Sequence, residues 1–100
     1  MKTAKDMSEV REEIDRLDRE IVPLLLERLH YIREAGRIKE DRNVVRDTWR
    51  IEDVVKKARA TSDGLGGNSD FIETIYRHLI EQSIAYEYTI FDDLHESSNA

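Results

Sequence analysis

The chain has no cysteine in its 100 residues, so a disulfide framework, a thiol nucleophile and a thiolate metal site are all excluded. It has a single proline, Pro23, and four glycines, three of them gathered at Gly64, Gly66 and Gly67. A backbone so seldom interrupted is free to form long helices. No stretch alternates apolar and polar residues in the manner of a strand, and no apolar run reaches the length of a membrane span. The three histidines, His30, His78 and His95, share no ligand spacing, so no metal site and no cofactor are expected. The start, Met1-Lys2-Thr3-Ala4-Lys5, leads into charge and not into an apolar segment. No secretory signal is expected, and a cytoplasmic location is the default. Basic residues are outnumbered, 16 against 22 acidic, for a net charge of −6. That balance argues against a general nucleic-acid binder, whose phosphate contacts need a basic face. It leaves room for a small anionic ligand, because the local charge of a site can oppose the overall sign.

What is present is an amphipathic pattern, with 39% hydrophobic and 38% charged residues. From Val10 to Lys39 the apolar positions Val10, Ile14, Leu17, Ile21, Leu24, Tyr31, Ala35 and Ile38 follow the spacing of a helix seam. Asp6 and Glu9 are spaced as a capping box at its start, and Pro23 predicts a kink within one helix rather than two joined helices. A helix of some thirty residues is about 45 Å long. A lone globule of this size has a radius of gyration of about 13 Å, so such a rod needs cover along its length. A second copy of the chain is the simplest cover. Asp41-Arg42-Asn43 reads as a turn, and Asp47 or Thr48 as the N-cap of a second helix that fades at Ala60-Thr61. Trp49, Val54, Val55 and Ala58 form its apolar side. Ser62 to Asn68 is a loop, and Ser69 or Asp70 caps a third helix, with Asp70 and Glu73 spaced as a capping box. Its stripe runs Ile72, Ile75/Tyr76, Leu79/Ile80, Ile84, Ile90 and Leu94, with His95 to Ala100 a fraying tail. The expected architecture is all-α, one domain over residues 1–100 with a helical core from about 6 to 94.

Several polar residues stand where apolar ones belong. Arg28 occupies a seam position of the first helix, either snorkelling over apolar surface or serving a site. Lys39 lies close to three turns further on, on nearly the same side and about 16 Å along the axis, so the two cations can address one small anion. Arg11 points roughly 100° around the helix from Arg28. The two cannot serve one site from one helix, although they can across a dimer. On the third helix Ser83 and Glu87, spaced i, i+4, continue an apolar line. Ser83 alone is most simply a small residue bonded to its own helix. A carboxylate at Glu87 must be either paired with a cation or protonated. Arg46, Asp47 and Arg50 form either a helix-start charge cluster or part of a pocket, and Trp49 reads as core.

These residues carry a resemblance. The run Val10-Arg11-Glu12-Glu13-Ile14-Asp15-Arg16-Leu17-Asp18, with Arg28 and Gly36-Arg37-Ile38-Lys39, resembles the all-helical (type II) chorismate mutases, and Val45-Arg46-Asp47, Arg50, Ser83 and Glu87 fall in matching places. The resemblance implies an intertwined homodimer of three-helix subunits, each of two sites being completed by the first helix of the partner. It implies a Claisen rearrangement of chorismate to prephenate, without nucleophile or cofactor, in the pathway to aromatic amino acids. Arg11 of one subunit and Arg28 of the other would hold the two substrate carboxylates. Lys39 would meet a carboxylate and the ether oxygen, a protonated Glu87 would face that oxygen from the other side and stabilise its charge with Lys39, and Asp47, Arg50 and Ser83 would line the pocket. Two positions differ from the common pattern. Ile51 stands where many members have a glutamate that meets a ring hydroxyl, and Glu87 stands where many have glutamine. An isochorismate-pyruvate lyase, or a mutase of an amino analogue of chorismate, is the alternative on the same fold. A non-catalytic helical dimerisation module would account for the seam but not for Arg28, Ser83 and Glu87.

Overall fold

The structure, a computed structural model, describes residues 1–99. It is all-α: helix α1 spans Met7–Ile38, α2 Thr48–Gly64 and α3 Ser69–Asn99, with a single 3-10 turn at Arg42–Val44 and no strand among the described residues. The start of α1 is fixed as its sequence predicts. Asp6 Oδ1 accepts the Glu9 amide at 2.9 Å, and Glu9 reaches back to the Lys5 amide at 3.4 Å. The helix runs unbroken through Pro23, so the reading of two joined helices is excluded.

The chain forms two compact units, residues 1–31 and Ile32 onward. The first consists largely of α1, and its seam is uncovered: Ile14, Leu17, Ile21 and Leu24 all lie exposed. In the second unit the core is built between α2, α3 and the connecting segment, from Val45, Val55, Ile80, Ile84 and Phe91, with Ile51, Val54 and Tyr88 packed against it. Two expectations need correction. Trp49 is 74% exposed and not core; it sits in the first turn of α2, where the side facing α3 is taken by Ile51, Val54 and Val55. Ile75 and Leu94, read as part of the buried stripe of α3, are exposed as well.

The loop between α2 and α3 is shorter than its glycines suggest. Helix α2 continues to Gly64 because its last turn is closed by a pair of backbone bonds, Gly67 N–H to the Ser62 carbonyl at 2.9 Å and Gly66 N–H to the Asp63 carbonyl at 3.0 Å. This is the Schellman arrangement, and Gly66, at φ 68°, supplies the left-handed residue that it requires. Helix α3 is capped by Asn68, whose Oδ1 accepts the Phe71 amide at 3.1 Å, and not by Ser69 or Asp70. Asp70 and Glu73 are engaged elsewhere, both bound to Arg59 of α2. At the far end α3 extends to Asn99, past the expected fraying point. The His95 ring stacks on Phe91 at 3.8 Å and its Nδ1 lies 2.8 Å from the Phe91 carbonyl, which ties down that turn. Ala100, the last residue of the expected tail, lies outside the described residues.

Ion pairs tie α2 and the segment before it to α3. Glu73 bridges Arg59 and Arg77, Arg77 also holds Glu52, and Arg46 holds Glu81. Hydrogen bonds from Arg77 and Arg46 hold the Glu73 and Glu81 carboxyls below their ordinary values, and Lys57 does the same for Asp53. A carboxyl depressed in the folded state contributes stability above its unfolded pKa, about 3.9 for Asp and 4.3 for Glu, and loses it as pH falls through the folded value. The melting temperature should therefore drop as pH falls from about 5 to 3, and Glu73→Gln should flatten that acid limb. Circular dichroism melts across this range provide the check. Added salt should weaken the effect, because every one of these pairs keeps at least one half-exposed or exposed partner.

Candidate active site

The chemistry-bearing cluster begins where α1 ends. The Lys39 amide bonds the Ala35 carbonyl at 3.0 Å, so Lys39 still follows the helical path one residue beyond α1. Its Nζ lies 2.7 Å from Glu87 Oε2 on α3 and donates to the Val45 carbonyl at 3.3 Å. The Glu87 side chain is 7% exposed and that of Lys39 29%. The pair is therefore inside on its anionic side and reachable from solvent on its cationic side. A carboxyl group on the apolar stripe of α3 thus has a cationic partner in reach. One turn earlier on α3 is Ser83, also buried, with Oγ donating to the Leu79 carbonyl at 2.7 Å.

The connecting segment that supplies the Val45 carbonyl is strapped to α3 on both sides of it. Arg42 binds Asp92 at 2.9 Å and lies over the Tyr88 ring at 4.5 Å, and Arg46 binds Glu81 at 2.6 Å. Val45 itself is buried in the core between these anchors. Sequence reading grouped Arg46 with its neighbours Asp47 and Arg50; its ion-pair partner lies 35 residues away, a pairing that no local spacing announces. The Val45 carbonyl was missed for the same reason.

The remaining candidates divide. Asp47 caps α2, its carboxylate accepting the Arg50 amide at 3.1 Å, and the Arg50 guanidinium binds Asp53 at 2.6 Å. Both side chains are in local, exposed contacts here. Ile51 is half-buried against the core. Arg11 is exposed and Arg28 half-buried on the part of α1 that belongs to the first unit, whereas Lys39, Asp47, Arg50, Ser83 and Glu87 belong to the second. Among the described residues no group of His, Cys, Asp and Glu could hold a metal ion, and no helix is long and apolar enough to cross a membrane.

The fold and this cluster define an all-helical protein with a buried carboxylate, a half-exposed lysine and no metal-ligand set among the described residues. Residues 10–88 match the chorismate mutase type II family, and the chain belongs to it. It is 28% identical over 96 residues to the T-protein of Haemophilus influenzae, a match covering 90% of this chain and 26% of that protein. It is 28% identical over 88 residues to the isochorismate pyruvate lyase of Pseudomonas aeruginosa, covering 85% of this chain and 87% of that one. The chain thus spans about a quarter of the T-protein's length and most of the lyase's.

Proposed function

We propose that the chain catalyses the rearrangement of chorismate to prephenate as a homodimer with shared sites. The observation that carries this reading is the buried Glu87 paired with Lys39 in a member of the chorismate mutase type II family. In the rearrangement one C–O bond breaks as one C–C bond forms, so no atom or electron leaves the substrate. What the protein must supply is conformer selection and stabilisation of the charge building on the ether oxygen. Lys39 Nζ, held by Glu87 and the Val45 carbonyl, is a preorganised cation for that oxygen. Arg28 of one subunit and Arg11 of the other hold the two carboxylates and fix the compact reactive conformer. Ser83, Asp47 and Arg50 line the site, with Asp47 and Arg50 exchanging their local contacts for substrate.

The dimer is supported by the uncovered seam of α1, whose Ile14, Leu17, Ile21 and Leu24 would otherwise remain in water. A second copy covers the same face with the same residues, as a two-fold interface does. Light scattering at low micromolar concentration should give the mass of two chains, with little folded monomer on dilution. A compact, folded monomer there would remove the shared site.

A second reading, lyase action on isochorismate, is favoured by Ile51. Packed against the core, it offers no carboxylate to a ring hydroxyl, and a relative of near full-length coverage is named as that lyase. One assay separates the two: purified protein is mixed with chorismate or isochorismate, and prephenate, or salicylate plus pyruvate, is followed. Prephenate formation from chorismate is the expected result. Turnover of isochorismate alone would reassign the chain to the lyase reaction, and turnover of neither would leave the dimerisation module.

A further inference from the structure

Among the described residues of α1, Gly36 alone is buried. Its backbone does not need glycine: the one positive φ among the described residues is at Gly66. Alanine would serve the helix better, since glycine loses more backbone freedom on folding. What requires glycine is space. A Cβ at position 36 would stand 3.1 Å from Ile90 Cγ2, 3.3 Å from the Glu87 carbonyl oxygen and 3.3 Å from Ile90 Cβ. Two of those contacts are with the first atoms of a buried side chain and one is with backbone, so none is relieved by swinging a flexible tip. The same crossing carries the ion pair. Lys39 follows Gly36 by one turn of the α1 path, and Glu87 precedes Ile90 by one turn of α3.

We propose that Gly36 is a positioning residue for Lys39: its missing side chain lets the end of α1 close on α3 at Glu87 and Ile90, so that Nζ reaches Glu87 Oε2 and the Val45 carbonyl together. A methyl group there forces the helices apart by a few tenths of an ångström and presses on the Glu87 backbone itself. The lysine stem can follow one anchor or the other, but the site loses the position fixed by both. The catalytic consequence rests on the reading of Lys39 as the cation that meets the ether oxygen.

The test is Gly36→Ala, with two readouts. Turnover of chorismate should show kcat reduced about tenfold with KM little changed, because the carboxylate-holding arginines are untouched and misplacement of about 1 Å costs about a hundredfold. A brief acetylation with acetic anhydride, read by peptide mass spectrometry against Lys57 as internal reference, should show Lys39 labelled several-fold faster than in the wild type. Glu87→Gln sets the rate for a lysine without its ionic partner. Ile90→Ala removes the Cγ2 that the new methyl meets most closely and leaves the 3.3 Å contacts with Ile90 Cβ and the Glu87 carbonyl, so Gly36→Ala/Ile90→Ala should return both kcat and labelling part of the way to the wild type. Should Gly36→Ala alone not fold, the double variant, where the closest contact is gone, carries the test. Wild-type kcat and labelling in Gly36→Ala, or a folded double variant that labels as fast as Glu87→Gln, would overturn the proposal. If the wild type turns over neither substrate, the functional reading falls, and the labelling rates still decide whether Gly36 sets the pair.

Discussion

Lys39→Ala should lower kcat/KM for chorismate by about a hundredfold to a thousandfold, the cost of removing one preorganised donor from a developing oxyanion. At about 1.4 kcal/mol per tenfold that is about 3–4 kcal/mol of transition-state stabilisation. The ether oxygen of the substrate is a weak acceptor until the C–O bond stretches, so the loss should fall on kcat more than on KM. A confounding effect must be separated. Truncating Lys39 leaves the buried Glu87 side chain without its partner. Breaking a buried pair on one side costs about 3–5 kcal/mol of stability, enough to unfold a marginal domain. Lys39→Ala/Glu87→Gln removes the stranded charge. It should recover the melting temperature while leaving activity as low as in Lys39→Ala. Recovery of activity together with stability would mean that Lys39 is a structural cation, and the proposed mechanism would lose its centre.

Glu87 needs the opposite treatment. An ionised carboxylate beside an oxygen that is gaining negative charge opposes the transition state, whereas an amide N–H in its place donates to it. Glu87→Gln keeps shape and hydrogen bonding and should retain activity within about tenfold, while Glu87→Ala removes both and should lose about a hundredfold. Equal damage from Gln and Ala would make the carboxylate's charge on Lys39 its whole contribution.

Much of this was legible in the sequence because it depends on short-range order. The three helices, the Asp6 and Asp47 caps and the placing of Ser83 and Glu87 on a buried face all follow from periodicity and from capping chemistry, which are local. The misses share one cause. Trp49 looked like core because large aromatics usually are, but which side of α2 meets α3 is decided by Val55 and Ile51, and no residue of α2 alone reveals that. Asp70 and Glu73 had capping-box spacing, yet Arg59, ten and more residues away in the preceding helix, claims both. Gly66 and Gly67 marked a loop, and the pairing of their amides with Asp63 and Ser62 turned part of it into a helix end. In the site the same division holds. Lys39 and Glu87 were each visible as polar residues out of place, but their 2.7 Å contact across 48 residues of chain, and the Val45 carbonyl that completes it, are tertiary facts.

If Arg11 and Arg28 hold the substrate as proposed, Arg11→Ala and Arg28→Ala should each reduce activity by about a thousandfold or more, the cost of a charge-assisted, two-pronged grip on one carboxylate of a flexible dianion. Neither should unfold the protein through loss of core packing: Arg11 is exposed, and Arg28 is only half-buried. The two lie on one helix, yet their directions differ by roughly 100°, so a site using both must draw them from different copies of the chain. That geometry makes a mixing experiment decisive. In a dimer of one Arg11→Ala chain and one Arg28→Ala chain, one site lacks both arginines, while the other has Arg28 from the first chain and Arg11 from the second. Random exchange makes half the dimers mixed, and each mixed dimer has one good site of two, so about a quarter of wild-type activity should return. Were both arginines supplied by the same chain, each site of the mixed dimer would lack one of them and nothing would return. Exchange itself can be followed by mass spectrometry of isotopically labelled chains under native conditions. Full exchange without recovery would remove Arg11 from the shared site and, with it, the requirement that the partner's first helix complete the pocket.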